Sequence, residues 1–254
     1  MPKEKAKTKS NPHLSSPELR VTDTHIYFAK GILSNWYPSP SPFPGNRALE
    51  LCLSRLDALE IPHPAEDAIS TRLIQSFHFG RGEQWIMAMK AWLFERGDAP
   101  LGEKLWSGIS EIESWDELRG EMLADKPLAE LRDPPRKLLR ESLLCRIMHT
   151  KSPKTQKMLG RKVPNFDEEL WSKASGVIVV AGCIARGEVD RGLKGLYLSS
   201  GERTFVEGSS TDSIWGVGLD WMDDDILDES KWRGMNRLGE AHGEAARMLR
   251  EMPS

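Results

Sequence analysis

The chain is 254 residues long, 39% apolar and 29% charged with a formal net charge of -3, which excludes a disordered or fibrous protein. A chain of this size buries roughly 70–75% of the surface its unfolded form exposes and needs no staple; Cys52, Cys145 and Cys183 lie far apart with no CxxC pair, which excludes a disulfide framework or zinc finger. The longest apolar run, Val177 to Ala185, has nine residues, short of the about 20 that cross a membrane, and the small net charge means that any nucleic acid must be bound locally.

Residues 1–20, rich in Lys, Ser and Pro, are expected to form a disordered basic tail. The opening MPKEKAKTKS has no apolar stretch of a secretion signal, so a cytoplasmic or nuclear address is expected. Thr24 to Phe28 predicts a strand. Pro38, Pro40, Pro42 and Pro44 then exclude helix or central strand and predict a surface loop. Leu49, Leu53 and Leu56 give Ala48–Leu59 the spacing of a short amphipathic helix. Glu83 to Phe94 is apolar on nearly every face and predicts a buried helix behind Gly82.

Two or three helices are expected over residues 99–145, one of them Pro135 to Met148. Ser152-Pro153 is a cap followed by proline at the first helical position, and Gly160 marks a stop. Asn165 with Glu168 three residues on predicts the cap of a long helix running to Gly187. A helix near Leu193–Leu198 follows. Arg203–Glu207 and Ile214–Leu219 read as two strands joined by a polar loop, and a last helix runs from about Arg237 to Glu251. The expected fold class is α+β, a mainly helical single domain over residues 21–254 with a small β-sheet.

No P-loop, dinucleotide fingerprint, zincin or serine-hydrolase motif is present, so the chemistry must come from elsewhere. Glu83 and Lys90 stand seven apart, about 10 Å along one helix face, together with Met87 and Phe94. Two readings follow. Glu83 is a first-turn acid and Lys90 snorkels to solvent, or an amine held among Met, Trp and Phe loses part of its preference for the charged form and becomes a nucleophile or base near neutrality. Asp212, before Trp215-Gly216-Val217-Gly218, is either bonded to its own turn or an acid beside a stacking indole and a glycine-lined backbone. Asn236 either caps the last helix, or that helix's amide end binds a phosphate with Arg233 or Arg237. Gly160-Arg161-Lys162 carries the same dual reading. The acidic run Asp220 to Glu229 reads as a solvated loop and lacks the pattern of a calcium site.

Six ordered motifs resemble the NADAR family, also called YbiA-like N-glycosidases: Ser34-Asn35-Trp36-Tyr37; Glu83-Gln84-Trp85 leading to Lys90-Ala91; Gly160-Arg161-Lys162-Val163 with Phe166-Asp167 and Trp171; Glu207 followed by Asp212; Ile214 to Leu219; and Trp232 to Gly239. The resemblance covers roughly 24–39, 77–96 and 145–252. It implies hydrolysis of the N-glycosidic bond between a phosphorylated ribose and a base. Two substrate classes go with it: ADP-ribose on guanine in nucleic acid or nucleoside, and phosphoribosylamino-pyrimidine intermediates of riboflavin synthesis.

The resemblance makes Lys90, Glu83 and Asp212 catalytic, and Asn35, Trp36, Tyr37, Arg161, Trp215, Gly216, Gly218, Trp232 and Asn236 substrate-binding. It implies no cofactor, metal or membrane partner, with ADP-ribosylated DNA or RNA as a macromolecular substrate. The competing class is a non-catalytic ADP-ribose or NAD-binding module. Long segments near 39–76 and 99–144, Gly82 in place of a common serine, and His242-Gly243 in place of a Leu-Met pair depart from the family and bear on substrate choice more than on chemistry.

Overall fold

Strands form where β-branched and aromatic residues alternate with polar ones, and helices where apolar residues recur every three or four. A computed structural model describes residues 12–66, 68–95 and 142–252. In chain order its elements are β1 (Arg20–Val21), β2 (His25–Phe28), β3 (Phe43–Pro44), α1 (Gly45–Ala58), α2 (Ile69–Ser76), β4 (His78–Phe79), α3 (Gly82–Phe94), α4 (Leu143–His149), α5 (Pro153–Gly160), α6 (Glu168–Val189), α7 (Arg191–Ser199), β5 (Thr204–Glu207) and α8 (Arg237–Glu251). The class is α+β and mainly helical, as the sequence predicts. No helix among the described residues is long and apolar enough to cross a membrane. Of the two or three helices expected over residues 99–145, the part before residue 142 lies outside the described residues; the end of the one expected over Pro135 to Met148 is helical in α4. The chain divides into two compact units, residues 1–34 with 190–254, and residues 35–189.

The first unit is built on a three-stranded sheet of order β1-β2-β5. β2 pairs antiparallel with β1 and parallel with β5, Ile26 opposite Phe205 and Tyr27 opposite Val206. Tyr27 and Val206 pack with Val217, Leu219 and Ile226, and Trp221 and Trp232 lie against that cluster. Order begins before Val21, contrary to the expected 20-residue tail: Pro12–Leu14 forms a 3-10 turn, and Arg20 bonds to the carbonyls of Met222 and Asp223 and the carboxylate of Asp224.

The second predicted strand of the 203–219 region is absent. Residues 214–219 follow a looped path, because Gly218 adopts φ +72° and a side chain at Gly216 would meet the Glu207 carbonyl. β5 finds its partner in β2 instead. Asn236 stands at the start of α8 but does not cap it; it adopts a left-handed conformation and makes no side-chain cap bond.

In the second unit α3 is central. Trp85 and Trp92 are buried, and each indole N–H is satisfied, Trp85 donating to the Ile178 carbonyl at 2.7 Å and Trp92 to the Thr71 hydroxyl at 3.0 Å. These two indoles belong to the core, which needs exactly such polar partners for buried N–H groups. The proline-rich stretch is not wholly a surface loop: Phe43 is fully buried and pairs with Phe79 in a two-stranded sheet, an arrangement a proline accepts at a sheet edge. The Ser152 cap of α5 forms as predicted, accepting from the Thr155 amide. For α6 the cap is Asp167, whose carboxylate accepts from the Leu170 amide at 3.0 Å; Asn165 is held in a left-handed turn instead. The Val177–Val180 run is helical, as its length favours.

Candidate functional site

The sequence-predicted residues divide between the units: Asn35, Trp36, Tyr37, Glu83, Lys90 and Arg161 in the second, and Asp212, Trp215, Gly216, Gly218, Trp232 and Asn236 in the first.

In the second unit α3 carries both charged candidates. Glu83 is buried, so it is not a solvated first-turn acid, and its amide donates to the Asn35 carbonyl at 2.8 Å. That bond ties the 35–37 turn to the helix start. A side chain on Gly82 would collide with the Asn35 amide group. Trp36 and Tyr37 stay exposed beyond this turn, with the Arg186 guanidinium 5.9 Å from the Tyr37 ring centre.

Lys90 lies two turns further along α3 and is half-buried. Its Nζ sits 3.9 Å from the ring centre of Phe166 and 5.5 Å from Trp171. Burial, and then the nearby positive charge of Arg161, hold this amine below the ordinary lysine range. The aromatic faces act in the opposite sense, since a ring quadrupole favours the cation. Desolvation prevails, and among the described residues no carboxylate forms an ion pair with Lys90. Such an amine is suited to attack an electrophilic carbon. Phe166, itself 43% exposed, and Trp171 are walls that the sequence motifs contained but that no spacing argument could aim at Lys90.

Arg161 also lines a cleft of about 490 Å³ with Trp36, Lys154, Thr155, Lys157 and Met158. Lys154 and Lys157 are functional candidates that the motif reading missed. Their signal was available, because Lys154, Lys157 and Arg161 follow one another at helical spacing.

In the first unit the candidate side chains are engaged with backbone. The Asp212 carboxylate accepts from the amides of Ile214 and Trp215 at 3.1 and 2.9 Å, the turn-forming arrangement. Asn236 is buried, its amide donating to the Phe205 carbonyl at 2.9 Å and accepting from the Glu207 amide at 3.0 Å. It thereby occupies the free edge of β5 as a neighbouring strand would. The Trp232 indole donates to the Ile226 carbonyl at 2.8 Å. Trp215 remains half-buried under the Arg237 guanidinium, 5.6 Å from its ring centre. Gly216 and Gly218 lie in the loop that these bonds shape: Val217 donates to the Glu207 carbonyl, and Arg233 to that of Val217. Among the described residues no group of three His, Cys, Asp or Glu side chains gathers that could hold a metal ion.

Comparison with known proteins relates the chain to two relatives. Protein irg-1 of Caenorhabditis elegans is 35% identical over 96 residues, 37% of this chain and 45% of that protein. The N-glycosidase R617 of Acanthamoeba polyphaga mimivirus is 39% identical over 83 residues, 33% of this chain and 49% of that protein. The chain thus spans just under half the length of each relative. The NADAR domain matches residues 122–250, just over half of the chain; this range holds Arg161 and every candidate of the first unit, while Asn35, Trp36, Tyr37, Glu83 and Lys90 precede it. With that span matched, and with its α+β fold, the chain belongs to the NADAR domain family.

Proposed function

We propose that the protein is an N-glycosidase that hydrolyses the bond between a phosphorylated ribose and a base, releasing ADP-ribose from guanine. The observation that carries the reading is the Lys90 amine, half-buried against two aromatic rings and held below the ordinary lysine range. Membership of the family and the name of the mimiviral relative support the reaction class. The part-exposed face of Phe166 beside the amine supports a large flat leaving group such as a purine.

In this reading the Nζ lone pair forms a bond to the anomeric carbon while the bond from that carbon to the base breaks. The base leaves with the electron pair and takes a proton from a carboxylic acid. Glu83 on the same helix and Asp212 are the candidates for that acid. The amine loses its proton, the ribose ring opens, and the sugar is held as an imine of Lys90. Water then adds to the imine carbon, restoring the amine and freeing the sugar. The competing route is direct attack by a water activated by a carboxylate, with Lys90 only binding substrate.

Incubation with ADP-ribosylated guanosine and, separately, with a phosphoribosylamino-pyrimidine tests the substrate. Release of ADP-ribose and intact guanosine from the first alone is the expected result; release from the second alone moves the enzyme to the other substrate class, and ligand binding without turnover of either makes it a binding module. Borohydride added during turnover should leave a stable sugar adduct on Lys90. Turnover without any adduct favours the direct-water route.

A further inference from the structure

Phe166 stands in the turn between α5 and α6, and its backbone is fixed from both sides. Asn165 before it takes a left-handed conformation, its side-chain amide reaching the Phe94 carbonyl at 3.5 Å; Asp167 after it caps α6. The buried Phe94 ring meets Phe166 edge to face, ring centres 5.4 Å apart. Yet Phe166 is 43% exposed, so a ring held this firmly buries only part of its area, and the core does not account for it. What the ring carries is Lys90, whose Nζ lies 3.9 Å from its centre. Trp171, at 5.5 Å, is near the limit of such a contact. Among the described residues no carboxylate forms an ion pair with this amine. Glu83 lies two turns back along α3, the Asp167 carboxylate is bonded to the Leu170 amide, and the Arg161 charge at the end of α5 repels the ammonium. The ring faces are what favours the cation there.

We propose that Phe166 is a positioning residue that parks Lys90 as an ammonium on its ring, and that a flat base stacking on the same face displaces the amine and frees it to react. The two occupants exclude each other by distance. Atoms in contact lie about 3.5–4.0 Å apart, so a base on this face takes the layer in which Nζ sits. A ring quadrupole stabilises the cation and does nothing comparable for the neutral amine. Displacement therefore removes support for the charged form, while burial and Arg161 continue to oppose it. The ammonium then gives its proton to solvent water, and the nitrogen keeps its lone pair. Activation is thus coupled to occupancy: the amine becomes reactive in a site that holds a base, and in an empty site it stays on the ring. The use made of the released amine rests on the N-glycosidase reading; its parking on Phe166 does not.

The test follows the Lys90 Cε–H resonance through a pH titration of the full chain carrying isotope-labelled lysine, the resonance being identified by its loss in Lys90→Arg. Phe166→Leu keeps apolar bulk and removes the ring, so the titration midpoint should fall by about half to one pH unit; Phe166→Trp, with the stronger quadrupole, should raise it. Saturating guanosine, which supplies the flat group without a bond to break, should lower the wild-type midpoint by a similar amount and leave that of Phe166→Leu where it was. Any of four results overturns the proposal: a midpoint unchanged or raised in folded Phe166→Leu; a midpoint unchanged or lowered in Phe166→Trp, which decides alone if the leucine variant does not fold; no binding of guanosine; or bound guanosine that leaves the wild-type midpoint in place. Turnover does not enter these readings. Absence of hydrolysis with the shifts present removes the N-glycosidase reading and leaves the parked amine, and hydrolysis without the shifts does the reverse.

Discussion

The loop between β5 and α8 in one unit and the surface of α3, α5 and the start of α6 in the other hold the same kinds of residue: acids, tryptophans, glycines and arginines. They use them differently. In the loop, Asp212 accepts from two amides, Asn236 fills the edge of a strand, and the Trp232 N–H is given to a carbonyl. Along α3 and α5, Lys90 lies over ring faces without an acid partner among the described residues, and Lys154, Lys157 and Arg161 line an open cleft. One region uses polar side chains to fix backbone, and the other places cations over ring faces and along an open cleft. A motif therefore does not by itself distinguish a group that reacts from a group that holds a loop.

The largest effect that would break this contrast is at Lys90. Lys90→Ala should lower kcat/KM by about a thousandfold or more while substrate affinity changes only a few-fold, because it removes the attacking atom and little binding surface. Lys90→Arg, which keeps a charge that cannot be deprotonated, should be as inactive. Single-turnover kinetics beside equilibrium binding checks both. Attack requires the neutral amine, so kcat/KM should rise with pH through a value below the ordinary lysine pKa, from the lowering by burial and Arg161. The sign for stability agrees: the unfolded chain binds the extra proton between the lowered folded pKa and the ordinary one, so this residue's contribution rises with pH across that window.

Asp212 sharpens the comparison. Its carboxylate oxygen accepts two amide bonds, and an asparagine oxygen can accept the same pair. If Asp212 only shapes the loop, Asp212→Asn should leave kcat within a few-fold and Asp212→Ala should cost about 1–2 kcal/mol of stability. If it donates the proton to the leaving base, the asparagine variant should fall by about a hundredfold at unchanged thermal stability. The loop geometry makes the first the expected outcome.

Much of the fold was legible because its signals are local. Ser152-Pro153 announced α5, the apolar run from Glu83 announced a buried α3, and the range of α8 was read directly from its periodicity. Residues 214–219 were misread as a strand because alternating apolar residues outweighed two glycines whose role depends on a carbonyl of β5 and the backbone near Arg233. Asp167 rather than Asn165 caps α6 because Asn165 is taken by a left-handed turn, with its amide reaching the Phe94 carbonyl at 3.5 Å. Lys90 could be singled out by composition, but Phe166 and Trp171 come from chain about 80 residues away and no spacing rule joins them to it. The cationic face of α5 was legible at i, i+3 and i+7, but only the cleft showed that Trp36 stands beside it.

Asn236 should give a smaller, structural effect. Asn236→Ala removes a donor and an acceptor from buried backbone and leaves alanine in a left-handed conformation. About 2–3 kcal/mol is expected, read as a melting temperature lowered by roughly 4–12 °C for a chain of this size. Asn236→Gly, which relieves the backbone but still lacks the amide, should recover part of that loss. Equal losses in the two variants would show that the side-chain bonds account for the whole effect.

The smallest expected effect is at His242 in the last helix. His242 is buried beside Tyr197; one ring nitrogen meets the Leu33 carbonyl at 2.7 Å and the other the Tyr197 hydroxyl at 2.7 Å. A carbonyl only accepts, so Nε2 carries a proton, and in the neutral ring Nδ1 accepts from the hydroxyl. His242→Leu replaces this bridge with a side chain of similar bulk that can bond to neither group, at a cost of about 1–2 kcal/mol. Adding Tyr197→Phe removes one of the two polar groups so exposed, and the double variant should therefore melt above His242→Leu alone. Strict additivity of the two losses would mean that the hydroxyl and the ring do not depend on each other, and the bridge would then lose its place as the tie between α8 and the turn at Gly31–Leu33.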